Sequence, residues 1–382
     1  MKIIVLLLLA VVLASADQTA PGTASRPILT ASESNYFTTA TYLQGWSPPS
    51  ISTSKADYTV GNGYNTIQAA VNAAINTGGT TRKYIKINAG TYQEVVYIPN
   101  TKVPLTIYGG GSSPSDTLIT LNMPAQTTPS AYKSLVGSLF NSADPAYSMY
   151  NSCASKSGTI GTSCSTVFWV KAPAVQIVNL SIENSAKNTG DQQAVALQTN
   201  SDQIQIHNAR LLGHQDTLYA GSGSSSVERS YYTNTYIEGD IDFVFGGGSA
   251  IFESCTFYVK ADRRSDTAVV FAPDTDPHKM YGYFVYKSTI TGDSAWSSSK
   301  KAYLGRAWDS GVSSSSAYVP GTSPNGQLII KESTIDGIIN TSGPWTTATS
   351  GRTYSGNNAN SRDLNNDNYN RFWEYNNSGN GA

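Results

Sequence analysis

One pattern constrains this chain more than any other: a short segment that returns at intervals of twenty to forty-five residues. Asn179-Leu180-Ser181-Ile182 is followed by Asn208-Ala209-Arg210-Leu211, Asn234-Thr235-Tyr236-Ile237, Ser254-Cys255-Thr256-Phe257, Lys287-Ser288-Thr289-Ile290 and Glu332-Ser333-Thr334-Ile335. Each begins with a polar residue and ends with a large apolar one, and the gaps are 29, 26, 20, 33 and 45 residues. A unit of short strands and turns this long cannot bury its inward residues alone, whereas stacked units share one continuous core. The pattern predicts an all-β solenoid, a right-handed parallel β-helix over residues 56–345, with the longer gaps as loop insertions gathered on one face. A β-sandwich would instead show strands about every 8–12 residues joined by hairpin turns, and hairpin dipeptides are few here.

The rest of the chain is read around that core. Met1-Lys2, the apolar run Ile3 to Leu13 and Ala14-Ser15-Ala16 read as a signal peptide over 1–16, with the mature chain starting at Asp17. The run is too short to span a bilayer and no second run of spanning length follows, so a secreted, extracellular protein is expected, with no membrane partner. Residues 17–55 read as an extended N-terminal arm. One amphipathic helix follows, with Asn65 as its cap, Gln68 completing a capping box, Gly78 as its stop, and Ile67, Ala70, Val71, Ala74 and Ile75 on one face. It is expected to plug the open end of the solenoid. Strands are predicted at Lys83 to Asn88, Val95 to Ile98, Val103 to Tyr108 and Thr117 to Leu121. Residues 346–382 are expected to pack along the outside as a tail anchored by Phe372, Trp373 and Tyr375.

In an oxidising compartment Cys153 and Cys164 can close a small disulfide loop, while Cys255, in an apolar run, is expected as a buried free thiol. Three histidines and no Cys-x-x-Cys give no metal site, and no cofactor is expected. With 25 basic and 26 acidic residues the net charge is −1, which excludes the basic surface that nucleic acid requires. A monomer acting on a neutral or sugar-like ligand is expected. Asn179, Asn340 and Asn376 match the glycosylation pattern.

The chemistry concentrates in residues 213–246. Only 13% of the chain is charged, yet Asp216 and Asp242 each lie in an apolar, aromatic run, where an unpaired charge is costly. They are 26 residues apart, one coil, so they can stack on neighbouring strands roughly 4.8 Å apart. Two carboxylates that close do not both ionise easily; one holds a proton while a cation keeps the other charged. Arg306, in Leu304-Gly305-Arg306-Ala307-Trp308, is the candidate cation. Gln193 and Gln215 can donate amides to an oxyanion, and Tyr219, Phe245 and Trp308 offer flat faces. Alternation does not choose between Asp240 and Asp242, puts Phe245 with Ile241 and Phe243 in the core, and points Gln215 and Asp216 oppositely unless the backbone bends there. His214 is expected at an exposed or capping position.

These segments resemble the signatures of pectin methylesterases: Gly213-His214-Gln215-Asp216-Thr217-Leu218-Tyr219, Gly239-Asp240-Ile241-Asp242-Phe243-Val244-Phe245-Gly246 and Leu304-Gly305-Arg306-Ala307-Trp308, with Gln192 to Leu197 and Gly90 to Val95 in support. The likeness runs from about residue 56 to the C-terminus and is closest to the bacterial-type branch. It implies a right-handed β-helix and metal-free hydrolysis of methyl esters on galacturonan. By position, Asp242 would be the nucleophile, Asp216 the general acid and then base, Gln193 and Gln215 the oxyanion hole, and Arg306 the partner of Asp242. Tyr219, Phe245 and Trp308 would line the substrate. Gln198 stands where many members have Arg, and Gly110 replaces a common acidic residue. The competing functions are a β-helical glycosidase using the same aspartates and a non-catalytic carbohydrate-binding relative.

Overall fold

The computed structural model describes residues 20–187, 192–223, 226–299 and 301–382; the signal segment expected over 1–16 lies outside them. Among the described residues, apart from the short antiparallel pair Gly22–Thr23 and Arg26–Pro27, the strands form three parallel sheets of ten, eight and seven strands. The ten-stranded sheet runs from Tyr58–Val60 to Arg371–Tyr375, the eight-stranded one from Gly90–Tyr92 to Thr334–Ile335, and the seven-stranded one from Val96–Ile98 to Ala302–Gly305. The chain visits the sheets in rotation, which makes it the right-handed parallel β-helix that its repeat predicts.

The repeat now has a physical meaning. Ile177 pairs with Ile206, Ile206 with Tyr232, Tyr232 with Phe252, Phe252 with Val285 and Val285 with Ile330, so the sequence gaps are the coil lengths. The leading polar residues Asn179, Asn208, Asn234, Ser254, Lys287 and Glu332 all have φ between 47° and 56°. Each is a left-handed corner between the ten- and eight-stranded sheets, a conformation that Asn adopts at less cost than most residues. The Asn208 amide donates to Asn179 Oδ1 at 2.9 Å, and Asn179 donates to the carbonyls of Gly109 and Gly111. The amide nitrogen of Asn179 is therefore engaged in the corner ladder. The apolar residue three positions later points inward: Ile182, Leu211, Ile237, Phe257, Ile290 and Ile335 are fully buried in one core.

The helix Ile67–Asn76 closes the N-terminal end, burying Ile67, Ala70, Val71 and Ala74 against the first coils. Its cap is Thr66 and not Asn65, and Gln68 completes no capping box. Gln68 instead bonds both backbone groups of Tyr97, and the buried Glu94 carboxylate takes the Ile67 and Gln68 amides, a carboxylate on a helix N-terminus.

Two expectations are corrected, and one insertion is added. The arm contains two short helices, Ala31–Ser34 and Thr39–Leu43, each closed by a threonine capping box; Leu29, Phe37 and Tyr42 pack on the outside of the ten-stranded sheet. Residues 371–375 are no outer tail: they form the last strand of that sheet, with Phe372 in the main core and Trp373 facing the arm. The insertion after the strand Thr117–Leu121 carries helices Pro129–Val136, Tyr147–Ala154 and Gly161–Cys164 over a second aromatic core.

A disulfide joins Cys153 and Cys164 within that insertion, and Cys255 is a buried free thiol. Replacing both bridged cysteines by serine should lower the unfolding free energy by ~2–3 kcal/mol, read from chemical denaturation. An unchanged midpoint would show that the bridge constrains nothing the helices do not already hold.

Candidate active site

The site lies on the outer face of the seven-stranded sheet. Leu218 pairs with Val244 and Tyr219 with Phe245, so Asp216 and Asp242, each two residues earlier, hold equivalent positions on adjacent coils. Both have left-handed backbones, φ 64° and 48°. That break in alternation is what lets Gln215 and Asp216, neighbours in sequence, line one cavity of about 630 Å³ together with Gln193, Asp242, Phe245, Arg306 and Trp308. The Asp216 amide bonds the Ile241 carbonyl at 3.1 Å, which locks the two turns together. Gly239 is required by the same closeness: a Cβ there would fall 2.4 Å from the His214 carbonyl and 2.2 Å from Phe243 Cβ.

Arg306 grips Asp242 in a fork, with Nε 2.9 Å from Oδ1 and Nη2 2.6 Å from Oδ2. Such a pair holds a carboxylate ionised. Among the described residues, no cation grips Asp216 in this way. Burial and the neighbouring Asp242 charge push its pKa well above the usual carboxylate value, against the opposing pull of Arg306. The two neighbouring carboxyls thus sit in unlike surroundings: Asp216 is pushed toward its protonated form, and Asp242 is clamped by a cation.

Asp240 resolves differently. It is completely buried and paired with Arg263, Nε to Oδ2 at 2.6 Å and Nη2 to Oδ1 at 2.7 Å. It is a structural ion pair behind the site. Arg263, from the loop after the strand Thr256–Val259, carries no periodic signal and was not legible in the sequence. His214 is buried, with Nε2 3.2 Å from Asp262, which corrects the exposed reading.

The Gln215 Oε1 accepts the Gln192 amide at 2.9 Å, leaving its NH2 as the end able to donate. Gln193 is two residues off the strict rung of Asp216, since Leu197 pairs with Leu218; Val195 holds that rung. The Gln193 carbonyl accepts the Ala125 amide at 2.8 Å, so the insertion fixes Gln193. It also supplies Thr162 to the cavity wall, while Thr346 to Thr349, from the segment expected as a tail, line the other side. Neither wall was read from sequence, because both come from non-periodic loops.

Phe245 is not part of the main core. It stacks on Tyr219 with centroids 4.4 Å apart, and Trp308 meets both rings edge-on at 5.8 and 5.4 Å. The loop carrying Trp308 is fixed by Asp274, which accepts from the Ser310 amide and hydroxyl at 3.0 and 2.6 Å. Burial raises the Asp274 pKa to about 7.

A family model described as pectinesterase matches residues 143–355. Pectinesterase B of Dickeya dadantii (strain 3937) is 40% identical over 391 residues, covering 93% of this chain and 90% of that one. Escherichia coli YbhC, provisionally named an acyl-CoA thioester hydrolase, is 37% identical over 403 residues, covering 96% of this chain and 91% of that one. Its crystal structure superposes with a TM-score of 0.87, covering 96% of this chain and 97% of YbhC. Pectin methylesterase PemA from Erwinia chrysanthemi shares the fold at 23% identity, with a TM-score of 0.61 and coverage of 87% of this chain and 91% of that one.

Proposed function

This chain belongs to the pectinesterase family, and on that premise we propose that it is a secreted carboxylic ester hydrolase that removes methyl esters from galacturonan and releases methanol. The observation that carries the reading is Asp242, clamped by Arg306, one rung from Asp216, whose pKa burial and the Asp242 charge raise, in a groove walled by aromatic rings.

The proposed steps start with the proton on Asp216 and the negative charge on Asp242. An Asp242 oxygen attacks the ester carbonyl carbon, and the Gln193 and Gln215 amides donate to the oxygen that becomes negative. As the tetrahedral intermediate collapses, Asp216 gives its proton to the methoxy oxygen and methanol departs. An anhydride between Asp242 and the sugar acid remains. Asp216, now a carboxylate, takes a proton from water, whose oxygen attacks the acyl carbon. The Asp242–acyl bond breaks, restoring the ion pair with Arg306 and leaving the sugar's carboxylic acid, which gives its proton to solvent to become galacturonate. The aromatic faces of Tyr219, Phe245 and Trp308 suit the apolar face of a sugar ring.

The test is methanol release from methylated pectin across pH. Activity should fall on the alkaline side as pH rises through the raised pKa of Asp216, because the proton that methanol needs is lost. Absence of methanol at every pH would sink the assignment, and new reducing ends in its place would mark a glycosidase.

A further inference from the structure

The two oxyanion donors are held by different means. Gln215 stands on the turn that the Asp216 amide locks to the Ile241 carbonyl. Gln193 lies ahead of the strand Leu197–Thr199, and its segment is held by bonds to other parts of the chain. The Gln193 carbonyl takes the Ala125 amide at 2.8 Å, and the Ala194 amide reaches the Gln215 carbonyl at 3.1 Å. Val195 donates its amide to Ser165 Oγ at 3.1 Å, and its carbonyl accepts the Val167 amide at 3.0 Å. Ala125 is on the outgoing limb of the insertion that follows the strand Thr117–Leu121; Ser165 and Val167 are on the returning limb. The placement of the Gln193 carboxamide therefore depends on where those two limbs meet the coil.

One side chain gathers both limbs. Asn184 ends the strand Ser181–Asn184 and pairs with Leu121, the residue from which the insertion departs. It is completely buried. Its Oδ1 accepts the Met123 amide at 3.2 Å and the Ala186 amide at 3.3 Å. Its Nδ2 donates to the Ser165 carbonyl at 2.8 Å and the Met123 carbonyl at 3.0 Å, and lies 3.3 Å from the Val195 carbonyl. A carboxamide carries donor and acceptor together on a short stem. Apart from the local bond to Ala186, every group it meets here is backbone of the outgoing limb, the returning limb or the segment that carries Gln193. Asn184 takes no part in the proposed ester chemistry itself.

Resting on the reading above, we propose that Asn184 is a positioning residue for the oxyanion hole: by joining Met123, Ser165 and Val195 it fixes the insertion on the coil and, through the Ala125 amide, aims Gln193 at the ester oxygen. Its effect falls on turnover and not on sugar binding, because the oxygen that Gln193 serves becomes negative only on the way to the tetrahedral intermediate.

The experiment is a double-mutant cycle on methylated pectin. Asn184→Ser should lower kcat about tenfold, short of the ~10²–10³ that deleting an oxyanion donor costs, with KM within about twofold of wild type. In a Gln193→Ala background the same substitution should cost less than about twofold, because the group it aims is gone. Equal loss in both backgrounds, or a folded Asn184→Ser with wild-type kcat, overturns the proposal. If Asn184→Ser does not fold, Ser165→Ala, which removes the acceptor of the Val195 amide, carries the same comparison with about a threefold loss expected. Amide hydrogen exchange of the folded variant separates this proposal from the esterase reading. The Ala125 and Val195 amides should exchange about tenfold faster than in wild type, while those of Leu218 and Val244 do not change. If wild type releases no methanol, the esterase reading falls and exchange alone decides whether Asn184 holds the Gln193 segment: faster exchange upholds it and unchanged exchange ends it. If wild type releases methanol and exchange is unchanged, the positioning role falls alone.

Discussion

Asp242→Asn should reduce methanol release by ~10⁴-fold or more in kcat, as loss of a nucleophile does, while the β-helix remains folded. Asparagine is the informative substitution for a structural reason. Asp242 has φ 48°, a conformation that Asn tolerates better than Ala, so the variant loses the negative charge without added backbone strain. The Arg306 side chain retains 27% exposure, and water can take the place of the carboxylate beside it, so stability should change by less than ~1 kcal/mol. Unchanged circular dichroism and thermal midpoint with no methanol is the expected result. A folded variant keeping more than about 1% of wild-type turnover would remove Asp242 from the role of nucleophile.

Two residues away, the opposite outcome is expected. Arg263→Met leaves the Asp240 carboxylate, with no exposed surface, without its cation. Removing one partner of a buried pair typically costs ~3–5 kcal/mol, to be read from urea unfolding. Adding Asp240→Asn should restore much of the loss, since the Asn oxygen can still accept the Ile241 amide that Asp240 Oδ1 takes at 2.6 Å. A loss below ~1 kcal/mol in the single variant would mean that the pair is not what holds this turn together. The two aspartates of Gly239-Asp240-Ile241-Asp242 thus separate by assay: one is silent in stability and decisive in turnover, and the other the reverse.

Alternation alone could not make that separation; the resemblance to pectin methylesterases is what singled out Asp242. Alternation assumes an extended chain, and Asp216 and Asp242 both leave it. The same assumption sent Phe245 into the core and set Gln215 against Asp216. What was legible depended on repetition. The coil lengths could be read because each coil spends one polar residue on a left-handed corner, and the adjacency of Asp216 and Asp242 follows from one of those lengths. The second aromatic core was not legible, because Tyr97, Tyr132, Phe140 and Tyr150 come from a coil and an insertion whose apolar residues follow neither period. Nor was the last strand, since Arg371–Tyr375 finds its partner Gln327–Lys331 only after a long excursion.

The left-handed corners have a consequence beyond register. Asn179, Asn208, Asn234, Ser254, Lys287 and Glu332 recur at unequal intervals in the chain yet at equal heights in the stack. Length can be added or removed between one corner and the next without moving any rung. In this molecule the instructions for folding and the instructions for choosing a substrate are written in different places. Lineages could rewrite the groove walls, loop by loop, while the acid and the nucleophile stay one storey apart.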